Sequence, residues 1–232
     1  MAARTQPSAT IIVGDAFELW QSTTDDCLYS DKDFGCTEAD ALARLSRVIA
    51  NHRDELDAIG TFAKKGTNRV VLVPGNHDAA LLFESVARTA VASTGAEGAV
   101  TVNRSGSWIS PDGTIYAEHG HQTGKEVNRF ADWPRPFVGT PLHLQRPWGE
   151  QFVQRYYNKF EAKYPIIDNI LSEGVGVHYA IKAEGSVDTG RRHWTIHRLF
   201  LDEAVVGAIC GRARQRVRKA VRLGHRRGAR AW

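Results

Sequence analysis

Three short segments of the sequence carry side chains that can bind a metal ion or move a proton. They read Gly14-Asp15-Ala16-Phe17-Glu18, Gly75-Asn76-His77-Asp78 and Glu118-His119-Gly120-His121. Each is preceded by a short run typical of a strand, so its polar side chains are expected where that strand ends. In α/β sheets, functional residues often collect at the carboxyl ends of strands.

Each segment also has a simpler interpretation when it is taken alone. Gly14-Asp15 is typical of a turn, and Gly75-Asn76 of an Asn-Gly-type turn. His119 and His121 have strand spacing, so they could form ordinary hydrogen bonds on one face. The occurrence of all three segments in one chain favours a common site.

In this order, the segments resemble the calcineurin-like metallophosphoesterases. The pattern of that family is Asp-x-His, Gly-Asp-x-x-Asp/Glu, Gly-Asn-His-Asp/Glu, a later His-Gly and a final Gly-His-x-His. The resemblance covers about residues 10 to 130. It implies metal-dependent hydrolysis of a phosphate mono- or diester by a metal-bound hydroxide, and a phosphate ester as substrate.

By this resemblance, three residues would bind two divalent cations of the kind Mn²⁺, Fe or Zn²⁺. Asp15 would bridge both metals, and Asn76 and His119 would bind the second metal. Mixed oxygen and nitrogen ligands suit these ions better than ions that prefer thiolates. Paired cations polarise phosphoryl oxygens and lower the pKa of a bound water.

The same resemblance gives expected roles to four further residues. His77 would protonate the leaving alkoxide or stabilise charge on the phosphoryl group, and Asp78 would orient the His77 ring. His121 and Arg129 would contact the substrate, since an arginine matches phosphate geometry. For Arg129, ordinary packing of the Pro-rich loop that follows the third segment is the alternative.

Two parts of the family pattern do not occur in the sequence. None of the thirteen residues before Gly14 is Asp or His, so the Asp-x-His motif is missing. Gly224-His225-Arg226-Arg227 matches only the first half of the final motif. We therefore expect an incomplete first-metal site, in a domain truncated at both ends.

The apolar pattern predicts alternating strands and helices, and hence an α/β fold. The expected architecture is a layered sandwich of mixed β-sheets flanked by helices, with a helical insertion in the C-terminal half, at about residues 148–205. Strands are predicted at 10–13, 69–73 and 99–103, a hairpin at 108–118, helices at 37–60, 79–91 and 148–162, and irregular chain at 128–145.

The charge of the chain is divided unevenly along its length. Nine of the 30 basic residues and none of the 26 acidic ones lie after residue 211, which leaves 21 basic against 26 acidic residues, or −5, before it. We therefore predict a phosphoesterase domain over residues 1–211 and a basic tail over 212–232. The tail is either a solvated segment or a polyanion contact, such as one to nucleic acid.

An alternative function follows from the tail and the missing motifs: a metal-deficient, catalytically impaired protein that binds a partner through its basic residues. The composition otherwise predicts a cytoplasmic protein without a membrane partner. No apolar run approaches the roughly 20 residues of a membrane-spanning helix. Three cysteines without a Cys-x-x-Cys pair predict neither a disulfide framework nor a cysteine zinc site.

Overall fold

The computed structural model describes residues 9–21, 27–124 and 126–163. The chain divides into two compact units, Met1–Ala162 and Lys163–Trp232. The description below concerns the first unit. The predicted basic tail, His225 and the part of the predicted helical insertion after residue 163 lie outside the described residues.

The first two of the three sequence segments follow strands of a parallel sheet of three strands in the order β1-β3-β4. The strands are β1 (Ala9–Val13), β3 (Arg69–Val73) and β4 (Val100–Val102). β1 and β3 pair in register, with Val13 opposite Val73. The prediction of strands in these three places is confirmed. Because the strands are parallel, the residues that follow β1 and β3 lie side by side.

Three α-helices pack beside this sheet: α1 (Glu38–Asn51), α2 (Arg53–Ala63) and α3 (Glu84–Ser93). The predicted start of a helix near residue 37 is confirmed, since Thr37 is the N-cap of α1 and forms a reciprocal capping box with Asp40. The core between helices and sheet is built on fully buried side chains such as Leu45, Val86 and Val100.

Two of the predicted helix boundaries are wrong. The single helix expected over residues 37–60 is two helices, with His52 as C-cap of one and N-cap of the next. The apolar periodicity runs on through this residue, so it gave no sign of a break. The helix expected from residue 79 begins as a 3₁₀ turn, Ala79–Leu82, before Phe83 extends and α3 starts.

A second, antiparallel sheet has the order β2-β8-β7. Its strands are β2 (Phe34–Thr37), β7 (Phe137–Val138) and β8 (His143–Gln145). The prediction of irregular chain over residues 128–145 missed β7 and β8. These strands are only two and three residues long, and β8 pairs with a strand about 100 residues earlier, which local spacing does not reveal.

The predicted hairpin is confirmed as β5 (Trp108–Ile109) and β6 (Tyr116–Ala117). The helix predicted from residue 148 is also confirmed, as α4 (Trp148–Phe152), a π-helical turn (Val153–Tyr157) and α5 (Asn158–Lys163). A short 3₁₀ turn, Glu126–Asn128, lies between these two regions.

Cys27 and Cys36 form a disulfide bond that joins the turn before β2 to β2 itself. The expectation that the cysteines would form no disulfide is therefore wrong for this pair. Nine positions separate the two residues, and that spacing has no characteristic motif. Their proximity comes from the fold, which buries both side chains in the main core.

The described residues therefore form a mixed α/β structure with small parallel and antiparallel sheets. Among these residues, no helix has both the length and the apolar character needed to cross a membrane.

Candidate functional site

The carboxyl ends of β1 and β3 bring the first two sequence segments into contact. The Gly14 N–H donates to the Val73 carbonyl at 2.8 Å, which extends the pairing of the strands by one residue. A Cβ at Gly75 would lie 2.2 Å from Asp15 Oδ1 and 2.9 Å from Gly14 Cα. The two loops are therefore packed too closely for any side chain at position 75.

Asp15, Asn76 and His119 converge at this edge of the sheet. The Nε2 atom of His119 lies 2.9 Å from Asp15 Oδ2 and 3.0 Å from Asn76 Oδ1. Asn76 is buried, whereas Asp15 and His119 keep about a quarter of their side-chain surface exposed. Three residues from separate parts of the chain thus present polar atoms to one point that solvent can reach.

The tautomer of His119 can be assigned from its second contact. Its Nδ1 atom lies 3.1 Å from the Val13 carbonyl oxygen, which can only accept, so Nδ1 carries the proton. In the neutral ring, Nε2 then presents a lone pair to the oxygens of Asp15 and Asn76. Three electron-rich atoms then face one another, and a cation between them or a proton on Nε2 would relieve their repulsion.

This donor set fits a divalent cation. Metal-binding histidines usually donate the other ring N–H to a backbone carbonyl, as His119 does to Val13. Two ligand atoms that each lie about 2.1 Å from a cation, at right angles to each other, are about 3 Å apart. This is close to the distances of 2.9 and 3.0 Å from His119 Nε2 to the oxygens of Asp15 and Asn76. Gly14 makes room for the imidazole, because a Cβ there would lie 2.1 Å from His119 Nδ1.

The described residues contain no group of three or more His, Cys, Asp or Glu side chains arranged to hold a metal ion. The candidate site has two such residues, with Asn76 as the third. Of these three, only Asp15 is expected to serve the first metal. The described residues therefore fit one cation, and they supply no set for a second.

Asp78 has a different role from the predicted one. Its fully buried carboxylate accepts four backbone N–H groups, from Gly75 at 2.6 Å, Ala16 at 2.8 Å, Asp15 at 3.2 Å and Phe17 at 3.3 Å. The expectation that Asp78 orients the His77 ring is therefore wrong. The carboxylate instead joins the loop after β1 to the loop after β3.

The Asp78 bonds help to hold Asp15 in an unusual backbone conformation. Asp15 has φ 52, in the left-handed region that few residues other than glycine adopt. Burial raises the pKa of Asp78 to about 6, against the lowering effect of the Gly75 N–H. The carboxylate is thus ionised at neutral pH, the state that four N–H donors require.

Glu18 is the actual partner of the His77 ring. Its Oε2 lies 2.6 Å from His77 Nδ1, while its Oε1 accepts the backbone N–H groups of Trp20 and Gln21. Burial lowers the pKa of His77, but the hydrogen bond and charge of Glu18 outweigh it, so that the net pKa is raised. The sequence contained this signal, because Glu18 occupies the Asp/Glu position of Gly-Asp-x-x-Asp/Glu.

His121 lies next to the group but makes a different kind of contact. Its ring packs edge-on against Trp133 at 4.4 Å and lies 5.5 Å from the His119 ring, between centroids. Neither ring nitrogen has a hydrogen-bond partner among the described residues, and the side chain is buried. Burial, followed by the nearby His119, lowers the pKa of His121 to about 4, so its ring is neutral at neutral pH.

Arg129 is not drawn into the group. Its side chain is exposed, and its guanidinium donates to the Gly124 carbonyl at 2.9 Å. No contact within the described residues joins it to Asp15, Asn76 or His119. Its predicted role as a substrate contact stays a prediction.

The arrangement combines a group of polar atoms whose chemistry fits a cation with an imidazole that is anchored at one nitrogen. The His77 backbone N–H donates to Asp15 Oδ1 at 2.9 Å, which fixes the two functions next to each other. Such a site can bind an anion against a cation and deliver a proton beside it. Comparisons of the chain with family models, with curated proteins and with solved structures found no match.

Proposed function

We propose that this protein is a metal-dependent phosphoesterase of the calcineurin-like type, which hydrolyses a phosphate mono- or diester. The observation that carries the proposal is the convergence of Asp15, Asn76 and His119 on one point beside His77. The family resemblance of the three segments supplies the reaction class. The same resemblance leads us to propose that the two larger sheets belong to a layered sandwich with flanking helices.

Asp15, Asn76 and His119 would hold the cation. A divalent cation in such a site polarises phosphoryl oxygens and lowers the pKa of a bound water. The open side of the site, where Asp15 and His119 are partly exposed, leaves room for substrate oxygens. The resemblance implies a second cation, for which the described residues supply only Asp15. The proposed function requires only the single cation held by Asp15, Asn76 and His119.

His77 is the proton donor in this proposal. Glu18 occupies Nδ1, so Nε2 is the nitrogen that can reach the oxygen of a leaving alcohol. The raised pKa of His77 increases the fraction of imidazolium near neutral pH, which a general acid needs. Glu18 also fixes the ring through a carboxylate that the loop backbone holds at its other oxygen.

The proposal is tested with the purified full chain, stripped of metal and then supplied with Mn²⁺, Zn²⁺ or Fe²⁺. Hydrolysis of p-nitrophenyl phosphate is compared with that of bis-p-nitrophenyl phosphate, which separates monoesterase from diesterase activity. We expect cation-dependent turnover that His77→Ala lowers about 100- to 10,000-fold, with cation binding unchanged. Asp15→Ala should abolish binding and turnover together.

The matched control is His52→Ala, since His52 lies between α1 and α2 with its side chain largely exposed. This variant should bind the cation and turn over substrate like the wild type. A folded wild-type chain that hydrolyses neither ester with any of the three cations would contradict the proposed function.

A further inference from the structure

We propose that Trp20 is a positioning residue that fixes the plane of the His77 ring, and that the helical segment after residue 148 holds Trp20 in place. This inference rests on the proposed function of His77. It extends that function to residues outside the three sequence segments.

The indole of Trp20 stacks on the imidazole of His77. The ring centroids are 4.2 Å apart and the planes are inclined by 22°. Trp20 is only 4% exposed, and its cluster includes Ala79 and Phe130. Glu18 holds the edge of the imidazole at Nδ1 while Trp20 covers one face. One contact limits rotation of the ring and the other limits its tilt.

The backbone of Trp20 is held from the other side by two amide side chains. Gln154 Nε2 donates to the Trp20 carbonyl at 2.9 Å, and Asn158 Nδ2 donates to the same oxygen at 3.0 Å. Both amides are buried. They lie four positions apart and thus on one side of the helical segment, where the π-helical turn passes into α5. Turns of this type recur at functional sites.

Helix α1 adds a second support through Arg44. Its Nη1 donates to the Leu19 carbonyl at 3.0 Å, and its Nη2 donates to Gln154 Oε1 at 2.7 Å. Gln154 therefore accepts from α1 and donates to Trp20 at the same time.

Arg44, Gln154 and Asn158 are buried polar side chains that all bind the same short stretch of backbone. They bind the carbonyls of Leu19 and Trp20, the residues directly after Glu18. A hydrophobic core would pack this loop without the cost of burying an arginine and two amides. Polar bonds with defined directions set the position of a loop more narrowly than apolar contacts do. The loop that is positioned in this way carries Glu18 and Trp20, and each of them contacts the His77 ring.

The first test is structural and does not depend on activity. In the full chain with Zn²⁺, the His77 ring protons are observed by NMR with labelled histidine, and the signal is assigned by its loss in His77→Gln. The indole ring current should displace these signals. Trp20→Leu should return them towards the positions of an unstacked histidine, whereas Trp20→Phe should keep most of the displacement. Asn158→Leu, which removes one of the two bonds to the Trp20 carbonyl, should cause a smaller change in the same direction.

The second test is kinetic. We expect Trp20→Leu to lower kcat about 10- to 100-fold with little change in KM, and Trp20→Phe to restore most of the loss, because a misplaced proton donor affects the chemical step. Val86→Ala is the matched control, a buried change in α3 that should lower stability and leave both kcat and the His77 signals unaltered.

Unchanged His77 signals in folded Trp20→Leu would overturn the inference, as would an equal loss of kcat in Val86→Ala. If Trp20→Leu does not fold, Trp20→Phe and Asn158→Leu decide the matter by the same NMR signals. An inactive wild-type chain whose His77 signals respond to Trp20 would refute the proposed function and leave the positioning of His77 supported.

Discussion

Two regions that each depend on an aspartate show opposite ways of holding a loop. At the sheet edge, Asp78 is fully buried and accepts N–H groups from residues up to 63 positions away. In the β5–β6 hairpin, the exposed Asp112 accepts hydrogen bonds from Ser110 and Thr114, two positions away on either side. The first loop exists only in the complete fold, whereas the second is largely local.

The loops at the sheet edge are also more tightly packed than the turn of the β5–β6 hairpin. The sheet-edge loops contain glycines that no side chain could replace without a collision. The hairpin leaves Ile109, Ile115 and Tyr116 more than half exposed, and a Cβ at Gly113 would meet nothing within 4 Å. Substitutions at the sheet edge should therefore disturb both stability and the site, while equivalent ones in the hairpin should leave the site intact.

The largest effect is expected from Asp78→Asn. The amide nitrogen would face N–H groups that now donate to a carboxylate oxygen, and each buried N–H without an acceptor costs roughly 1 to 3 kcal/mol. We expect the free energy of unfolding to fall by about 3 kcal/mol in urea denaturation, with loss of cation binding. Asp112→Asn is the matched change in the hairpin and should leave cation binding intact. Equal losses of stability in the two variants would break the comparison.

Gly14→Ala should have the next largest effect. Gly14 has φ +82, and a methyl group there would lie 2.1 Å from His119 Nδ1, so the histidine must move away from Asp15 and Asn76. We expect cation affinity to fall about 100-fold or more by calorimetry, in line with the loss of a support for a metal ligand.

Gly113→Ala controls for the backbone cost in this comparison. Gly113 also has positive φ, at +70, but the space around it is open. Only the left-handed conformation opposes the methyl group, so stability should fall by about 1 to 2 kcal/mol without a change in cation affinity. A similar affinity loss in both glycine variants would show that the His119 contact is not the cause.

The smallest effect concerns pH. The hydrogen bond from Ser110, followed by those from Thr114, lowers the pKa of Asp112 below 3.8 in the folded chain. A carboxylate with a lowered folded pKa stabilises the fold above its unfolded pKa and loses that contribution as the pH falls through the folded value. The stability difference between wild type and Asp112→Asn, measured by urea denaturation, should therefore be present at pH 7 and shrink as the pH falls through the lowered pKa of Asp112. A difference that does not shrink as the pH falls would contradict this assignment.

The sequence predicted the local parts of this structure well. The ends of the strands at Val13 and Val73, the start of a helix near residue 37 and the hairpin each depend on neighbouring residues, and each is present. The approach of Asp15 and Asn76 follows from their positions after neighbouring parallel strands, whereas His119 follows β6 of the hairpin and was grouped with them only by the family resemblance. Their ligand role stays a prediction.

The features that the sequence did not reveal depend on distant contacts. Asp78 was assigned to its neighbour His77, but it bonds to a loop about 60 residues earlier. The disulfide and the pairing of β8 with β2 likewise join segments without a local pattern. Gln154 and Asn158 belong to no recognisable motif. Gln and Asn side chains are usually exposed to solvent, so the sequence gives no reason to expect these two to be buried against the Trp20 carbonyl.

The wide spacing of Asp15, Asn76 and His119 along the chain also bears on how the protein folds. Asn76 and His119 are 43 positions apart, and His119 contacts the carbonyl of Val13 across 106 positions. A partly folded chain cannot bring these three residues together. An ion that binds to them would therefore stabilise the native state relative to every partly folded state. An ion at 100 times its dissociation constant would add roughly 2.7 kcal/mol to the free energy of unfolding, and a chelator would remove that increment.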